Sequence, residues 1–145
     1  MATNIFIIDD HPQMLRLLCD FISLLPDMVV CGAAVSGREA LDQLPKLPVD
    51  LVLVDASLAD INSILLVKTL FTRRPELPCL ILSGRQDIEC VRNALAAGAR
   101  GYIVKGNPHE FPEAIRLVLN DEIYLSPQVK LRLTNLSDCI GEAVL

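Results

Sequence analysis

The sequence predicts an α/β fold, a doubly wound five-stranded parallel sheet in (βα)5 order between two helical layers, α/β/α. Three observations carry that prediction. Apolar runs of strand length recur five times, at residues 5–8, 28–34, 51–54, 79–82 and 101–104. Stretches with helical spacing fill the gaps between them. The runs are rich in Val, Ile and Leu and do not alternate with polar residues, as expected of strands covered on both faces. Strand and helix in strict alternation imply crossovers between parallel neighbours.

Each element has its own justification. The first run, Ile5, Phe6, Ile7 and Ile8, ends directly in Asp9 and Asp10. Pro12 then suits the first turn of a helix carried by Met14, Leu15, Leu17, Leu18, Phe21 and Ile22. After the second run, Ser36 caps a helix reaching about Leu44, where Pro45 stops it. The third run ends in Asp55. Its helix carries Ile64, Leu65, Val67, Leu70 and Phe71, and Arg73 and Arg74 close it where cations suit the dipole. The fourth run ends in Ser83, and Ile88, Val91, Leu95 and Ala96 carry a helix that Gly98 terminates. The fifth ends in Lys105, with His109 starting a helix through Phe111, Ala114, Ile115, Val118 and Leu119.

Composition narrows the class. The chain has 145 residues, 52% hydrophobic and 21% charged, which suits one compact domain with a short appendage. A net charge of −5 argues against a nucleic-acid footprint in this chain. No apolar run approaches a transmembrane length, and the N-terminus lacks the marks of a secretory signal, so a soluble cytoplasmic protein is expected. Cys19, Cys31, Cys79, Cys90 and Cys139 are scattered without a C-x-x-C pair and read as reduced thiols. Asn135-Leu136-Ser137 is formally a glycosylation acceptor and is read as chance.

The strand ends hold the chemistry. Two adjacent acids ~5 Å apart repel by about 3 kcal/mol at an effective dielectric of ~20, so something positive is expected beside them. In parallel sheets, function collects beyond the carboxyl ends of the strands. There Asp9, Asp10 and Asp55 would converge with Ser83 and Lys105. Taken singly, each reads more readily as a cap, a turn residue or an exposed lysine. Taken together, they suit Mg²⁺, which favours carboxylates and phosphate oxygens, and a carboxylate nucleophile towards phosphorus. His11 has no second imidazole or thiol at ligand spacing and reads as an exposed loop histidine.

The ordered set "IIDDHP", "LVLVD", "ILSG" and "GARGYIVKG" resembles the response-regulator receiver domain, in the NarL/LuxR-type group of two-component transcription factors. The resemblance covers residues 4–119, and "DEIYLSPQV" resembles the segment after the receiver in that group. It implies a flavodoxin-like fold with a receiver domain at 1–121. Residues 122–145 would form a C-terminal extension or the start of an interdomain linker helix. By matching position, Asp55 would accept a phosphoryl group from a sensor histidine kinase. Mg²⁺ would be held by Asp10, Asp55 and the Ser57 backbone carbonyl, with Asp9 acting through water. Lys105 would contact the acyl phosphate, Ser83 would swing towards it, and Tyr102 would rotate inward. The altered surface would lie on the fourth helix, fifth strand and fifth helix, where Arg92, Arg100, Glu113 and Arg116 offer charges to a partner or a second copy.

By the same resemblance the domain is a switch and not an enzyme, beyond self-phosphorylation from small donors and slow self-dephosphorylation. It would reach DNA only through an output domain outside this chain, and it would have no membrane partner. Where many receivers carry proline and glycine in the loop after the phosphoacceptor, this chain has Ala59 and Ser63. That departure leaves a phosphorylation-independent docking module as the alternative function. An aspartyl-nucleophile phosphatase is the weaker one, because Ser57 stands where that class needs a second Asp.

Overall fold

In the computed structural model the described residues are 2–140, with side chains described as far as Thr134. The five expected strands are present: β1 (Thr3–Ile8), β2 (Met28–Ala34), β3 (Leu51–Asp55), β4 (Cys79–Ser83) and β5 (Gly101–Val104). The helices are α1 (Pro12–Ser23), α2 (Gly37–Gln43), α3 (Ser63–Arg73), α4 (Ile88–Ala96) and α5 (Phe111–Leu119). All pairings are parallel, and the strand order is β2-β1-β3-β4-β5 with one further strand at the far edge. The order reverses direction between β1 and β3, which opens a crevice at their carboxyl ends.

Alternation along β1 shows how the sheet makes two cores. Ile5 and Ile7 face α1 and α5 with Leu51, Leu53, Leu80 and Ile103. Phe6 and Ile8 face α2, α3 and α4 with Val52, Val54, Ile81 and Val104. Successive side chains of a strand point to opposite faces, so a continuous apolar run is what a doubly covered strand requires. Each fully buried Ile, Leu or Phe contributes about 1.5–3 kcal/mol of transfer free energy.

Local signals mark the helix ends as expected. Pro12 occupies the start of α1, and the Ser36 hydroxyl accepts from Glu39 N (3.1 Å) at α2. Pro45 falls in a 3₁₀ turn, Leu44–Lys46, that closes α2. Gly98 has φ +113°, where a Cβ would also meet the Phe71 ring at 2.6 Å. His109 lies in a 3₁₀ turn, Pro108–Glu110, just before α5.

The structure adds elements after α5 that apolar periodicity does not reveal. Asp121 takes φ 64°, and the chain turns into a short strand, β6 (Tyr124–Leu125), pairing with Gly101 and Tyr102 of β5. A further helix, α6 (Pro127–Ile140), packs on α4, and Val129 is fully buried in the core beneath it. Among the described residues no helix is long and apolar enough to cross a membrane. Cys19, Cys31, Cys79 and Cys90 are free thiols, and burial pushes the Cys79 thiol up to about 12. The side chains of the 135–137 triplet and Cys139 lie outside the described residues.

Candidate functional site

Four strand ends meet at one rim. Asp9 and Asp10 follow β1, Asp55 ends β3, Ser83 ends β4 and Lys105 follows β5. Asp55 is buried at the rim and reaches a lysine ammonium. Its residue is 2% exposed, Lys105 Nζ lies 2.8 Å from Oδ1, and the Ser57 hydroxyl donates to Oδ2 at 3.0 Å. Gly106, with φ +137°, turns the chain immediately after the lysine.

The adjacent acids are held differently. Asp9 is fully buried, and its Oδ1 accepts from His11 N at 2.9 Å. Burial pushes its carboxyl above the ordinary carboxylate range, and the nearby Asp55 charge pushes the same way. Asp10 is partly buried, with Oδ2 accepting from Ala59 N at 2.8 Å. Asp9 Oδ2 and Asp10 Oδ1 are buried without a hydrogen-bond partner among the described residues. An unsatisfied buried polar atom costs about 1–3 kcal/mol, and more when charged. Ligand atoms of Asp9, Asp10, His11 and Asp55 all lie within 4.8 Å of one another. Such a group of carboxylate oxygens, two of them unpaired, fits a hard divalent cation.

His11 is the residue that sequence reasoning undervalued. Its ring is 65% exposed, as a loop histidine should be. Yet Nδ1 lies 3.0 Å from Asp10 Oδ1, 3.3 Å from Asp9 Oδ1 and 3.8 Å from Asp55 Oδ2. The contact with Asp10 Oδ1 is close, although that oxygen has no hydrogen bond among the described residues. Only its adjacency to the acid pair in sequence hinted at this position.

With this geometry in place, comparison with known proteins settles the family. The sequence matches the response regulator receiver domain over residues 5–116. The chain belongs to the response regulator receiver family. It is 32% identical over 134 residues to the transcriptional regulatory protein UhpA of Escherichia coli (strain K12), covering 91% of this chain and 66% of that protein. It is 39% identical over 102 residues to the DNA-binding transcriptional activator DevR/DosR of Mycobacterium tuberculosis, covering 70% of this chain and 47% of that protein. This chain therefore spans about half to two-thirds of the length of these relatives. In fold it is similar to a LuxR-family two-component response regulator from Aurantimonas sp., with TM-score 0.90, 23% identity and coverage of 95% and 99% of the two chains. The flavodoxin-like architecture expected from sequence is thus shown, and the receiver's acidic pocket is present as Asp9, Asp10 and Asp55.

Three further expectations meet the receiver's geometry. Tyr102 is 2% exposed and its hydroxyl donates to Arg85 O at 2.9 Å, so the ring already lies inside the fold. Ser83 is buried beside it, with Oγ accepting from Arg85 N at 3.0 Å. Arg116 does not offer a free charge to a partner, because its guanidinium makes two contacts of 3.2 Å with Asp27.

The loop after Asp55 is tied down despite Ala59 and Ser63. Ser63 is buried and its hydroxyl donates to Ala56 O at 3.0 Å, while the Asn62 side chain caps α3 at Ile64 N (2.8 Å). Asp60 Oδ1 and Oδ2 accept from Gly37 N and Arg38 N, each at 3.0 Å.

Proposed function

We propose that this domain is a phosphorylation switch in which a sensor histidine kinase transfers a phosphoryl group to Asp55. One observation carries the reading. Asp55 is a buried carboxylate with a lysine ammonium on one oxygen, next to two acids that keep unpaired buried oxygens. In the transfer, an Asp55 oxygen forms a bond to phosphorus as the bond from phosphorus to the donor breaks, and the donor leaves with the electron pair. Lys105 and the Ser83 hydroxyl are our assignment for neutralising and holding phosphoryl oxygens, which is most of what phosphoryl transfer asks of a protein.

Asp10, Asp55 and the Ser57 backbone carbonyl are our assignment for holding Mg²⁺, with Asp9 acting through water. Bound there, the ion would supply charge neutralisation at the acids and at the transferred group. Residues 1–121 are the proposed receiver, and 122–145 the extension that leads towards an output region. The match over residues 5–116 and the relatives' greater length support that division. Relatives named as transcriptional regulators support a cytoplasmic protein whose output is transcriptional. Self-phosphorylation from small donors and slow self-dephosphorylation are the chemistry we assign to it. DNA would be reached through the output region, and self-association is the readout expected of the switch. Ser83 and Tyr102 are the proposed switch pair.

The test is direct. Acetyl phosphate and Mg²⁺ should add one phosphoryl mass to the protein, chelation should prevent it, and Asp55→Asn should abolish it. Labelling that persists in Asp55→Asn would overturn the assignment.

A further inference from the structure

The N-terminus of α2 is completed by a residue from another loop. Of its free amides, Glu39 N is taken by the Ser36 hydroxyl and Ala40 N by the Ser36 carbonyl. Gly37 N and Arg38 N are left over, and both donate to the two oxygens of Asp60, 22 and 23 residues along the chain. A helix leaves such donors orphaned unless something outside it supplies acceptors. A carboxylate there also meets the positive end of the helix dipole. The Asp60 carboxyl is held below the ordinary carboxylate range, chiefly by these two backbone bonds. Ile61 packs against Gly37 so tightly that a Cβ at Gly37 would collide with Ile61 Cγ2.

The same loop touches the acid cluster one residue earlier. Ala59 N donates to Asp10 Oδ2 at 2.8 Å, while Asp10 Oδ1, 3.0 Å from His11 Nδ1, has no hydrogen bond among the described residues. Asp60 and Ala59 are adjacent, so the anchor on α2 and the amide on Asp10 belong to one short segment of the loop.

We propose that Asp60 is a positioning residue: by anchoring the loop on the first turn of α2, it orients the Asp10 carboxylate for the divalent cation. This rests on the reading of Asp55 as phosphoacceptor and deepens it. Among the described residues the Asp60 side chain makes its hydrogen bonds to Gly37 N and Arg38 N and none to Asp55 or Asp10. In this chain it stiffens a loop that has alanine at position 59 and serine at position 63. Because the anchor joins two elements, occupancy of the acid cluster should also quiet the first turn of α2.

The whole chain with Asp60→Ala, Asp60→Asn and Asp27→Ala provides the test. Asp27→Ala removes the contact with Arg116 and controls for general loss of stability. Calorimetric titration with Mg²⁺ alone should show about tenfold weaker binding for Asp60→Ala. Asp60→Asn, which keeps one acceptor oxygen, should recover part of that loss, and Asp27→Ala should match wild type. In wild type, Mg²⁺ should slow hydrogen exchange at Gly37 and Arg38, and Asp60→Ala should lose that protection. Folded Asp60→Ala with wild-type Mg²⁺ affinity would overturn the proposal, as would Asp60→Asn behaving no better than Asp60→Ala. Wild type that binds Mg²⁺ but takes no phosphoryl group would overturn the phosphoacceptor reading instead, with Asp60 still judged by the calorimetric affinities.

Discussion

A cluster of three carboxylates and a single glutamate at the far edge of this sheet are satisfied to very different degrees. At the rim, Asp9, Asp10 and Asp55 crowd together while Asp9 Oδ2 and Asp10 Oδ1 have no hydrogen bond among the described residues. At the β5–β6 edge, Glu110 Oε1 receives the hydroxyls of both Tyr124 and Ser126, and Ser126 Oγ in turn accepts from Val104 N at 2.9 Å. The first arrangement keeps two buried carboxylate oxygens without a hydrogen bond among the described residues, and the second gives its glutamate oxygen two hydroxyl donors. The difference separates a site from a fastening. A group kept unsatisfied at a cost in stability suits the cation proposed for it, whereas a group with matched donors holds β6 and the start of α6 on the sheet.

Removing charge should therefore act with opposite sign in the two places. The largest effect is expected at the fastening: Glu110→Ala strips the acceptor from two hydroxyls and should cost about 2–3 kcal/mol, a fall of roughly 5–10 °C in Tm. At the rim, Mg²⁺ at ten times its dissociation constant should stabilise wild type by about 1.4 kcal/mol. Asp10→Asn should lose most of that response. Without metal the same variant should gain about 1 kcal/mol, since asparagine keeps an acceptor for Ala59 N and removes one of three crowded charges. Chemical denaturation of both variants with and without Mg²⁺ measures all three. If metal-free Asp10→Asn were as destabilised as Glu110→Ala, the contrast between the clusters would be wrong.

The rim was legible in the sequence and the fastening was not, for a physical reason. Asp9, Asp10, Asp55, Ser83 and Lys105 each follow an apolar run, so strand periodicity and the parallel-sheet rule bring them together without knowledge of any contact. The resemblance then assigned their roles. Glu110, Tyr124 and Ser126 meet across 14 to 16 residues through a strand of two residues, too short to leave a periodic signal. Ser126 before Pro127 was a helix-start signature that could have marked α6. Asp60 was hidden for a similar reason, because its partners are backbone amides, which have no residue type to read. Arg116 reads in the sequence as an unpaired charge, since a pairing with Asp27 across 89 positions leaves no trace in local pattern.

The smallest expected effect sharpens the fastening further through its pH dependence. Burial, reinforced by the charge of Glu110, pushes the Tyr124 hydroxyl up to about 12, above its usual value near 10. A raised folded-state value means that the fold favours the neutral phenol. That contribution is complete below pH ~10, where the unfolded chain also keeps its proton, and is lost as pH climbs towards about 12. Tyr124→Phe keeps the ring and removes the titration. At neutral pH it should cost about 0.5–1 kcal/mol for the 3.2 Å bond to Glu110. Between pH ~9 and ~11 the gap between wild type and Tyr124→Phe should close and then reverse, because only the wild-type unfolded chain gains by ionising at this position. Tyr102 remains in both proteins and drops out of the difference. Urea midpoints across that range read the gap directly. A gap that stays constant would mean that the Tyr124 hydroxyl is solvated at the sheet edge, and Glu110 would then be fastened by Ser126 alone.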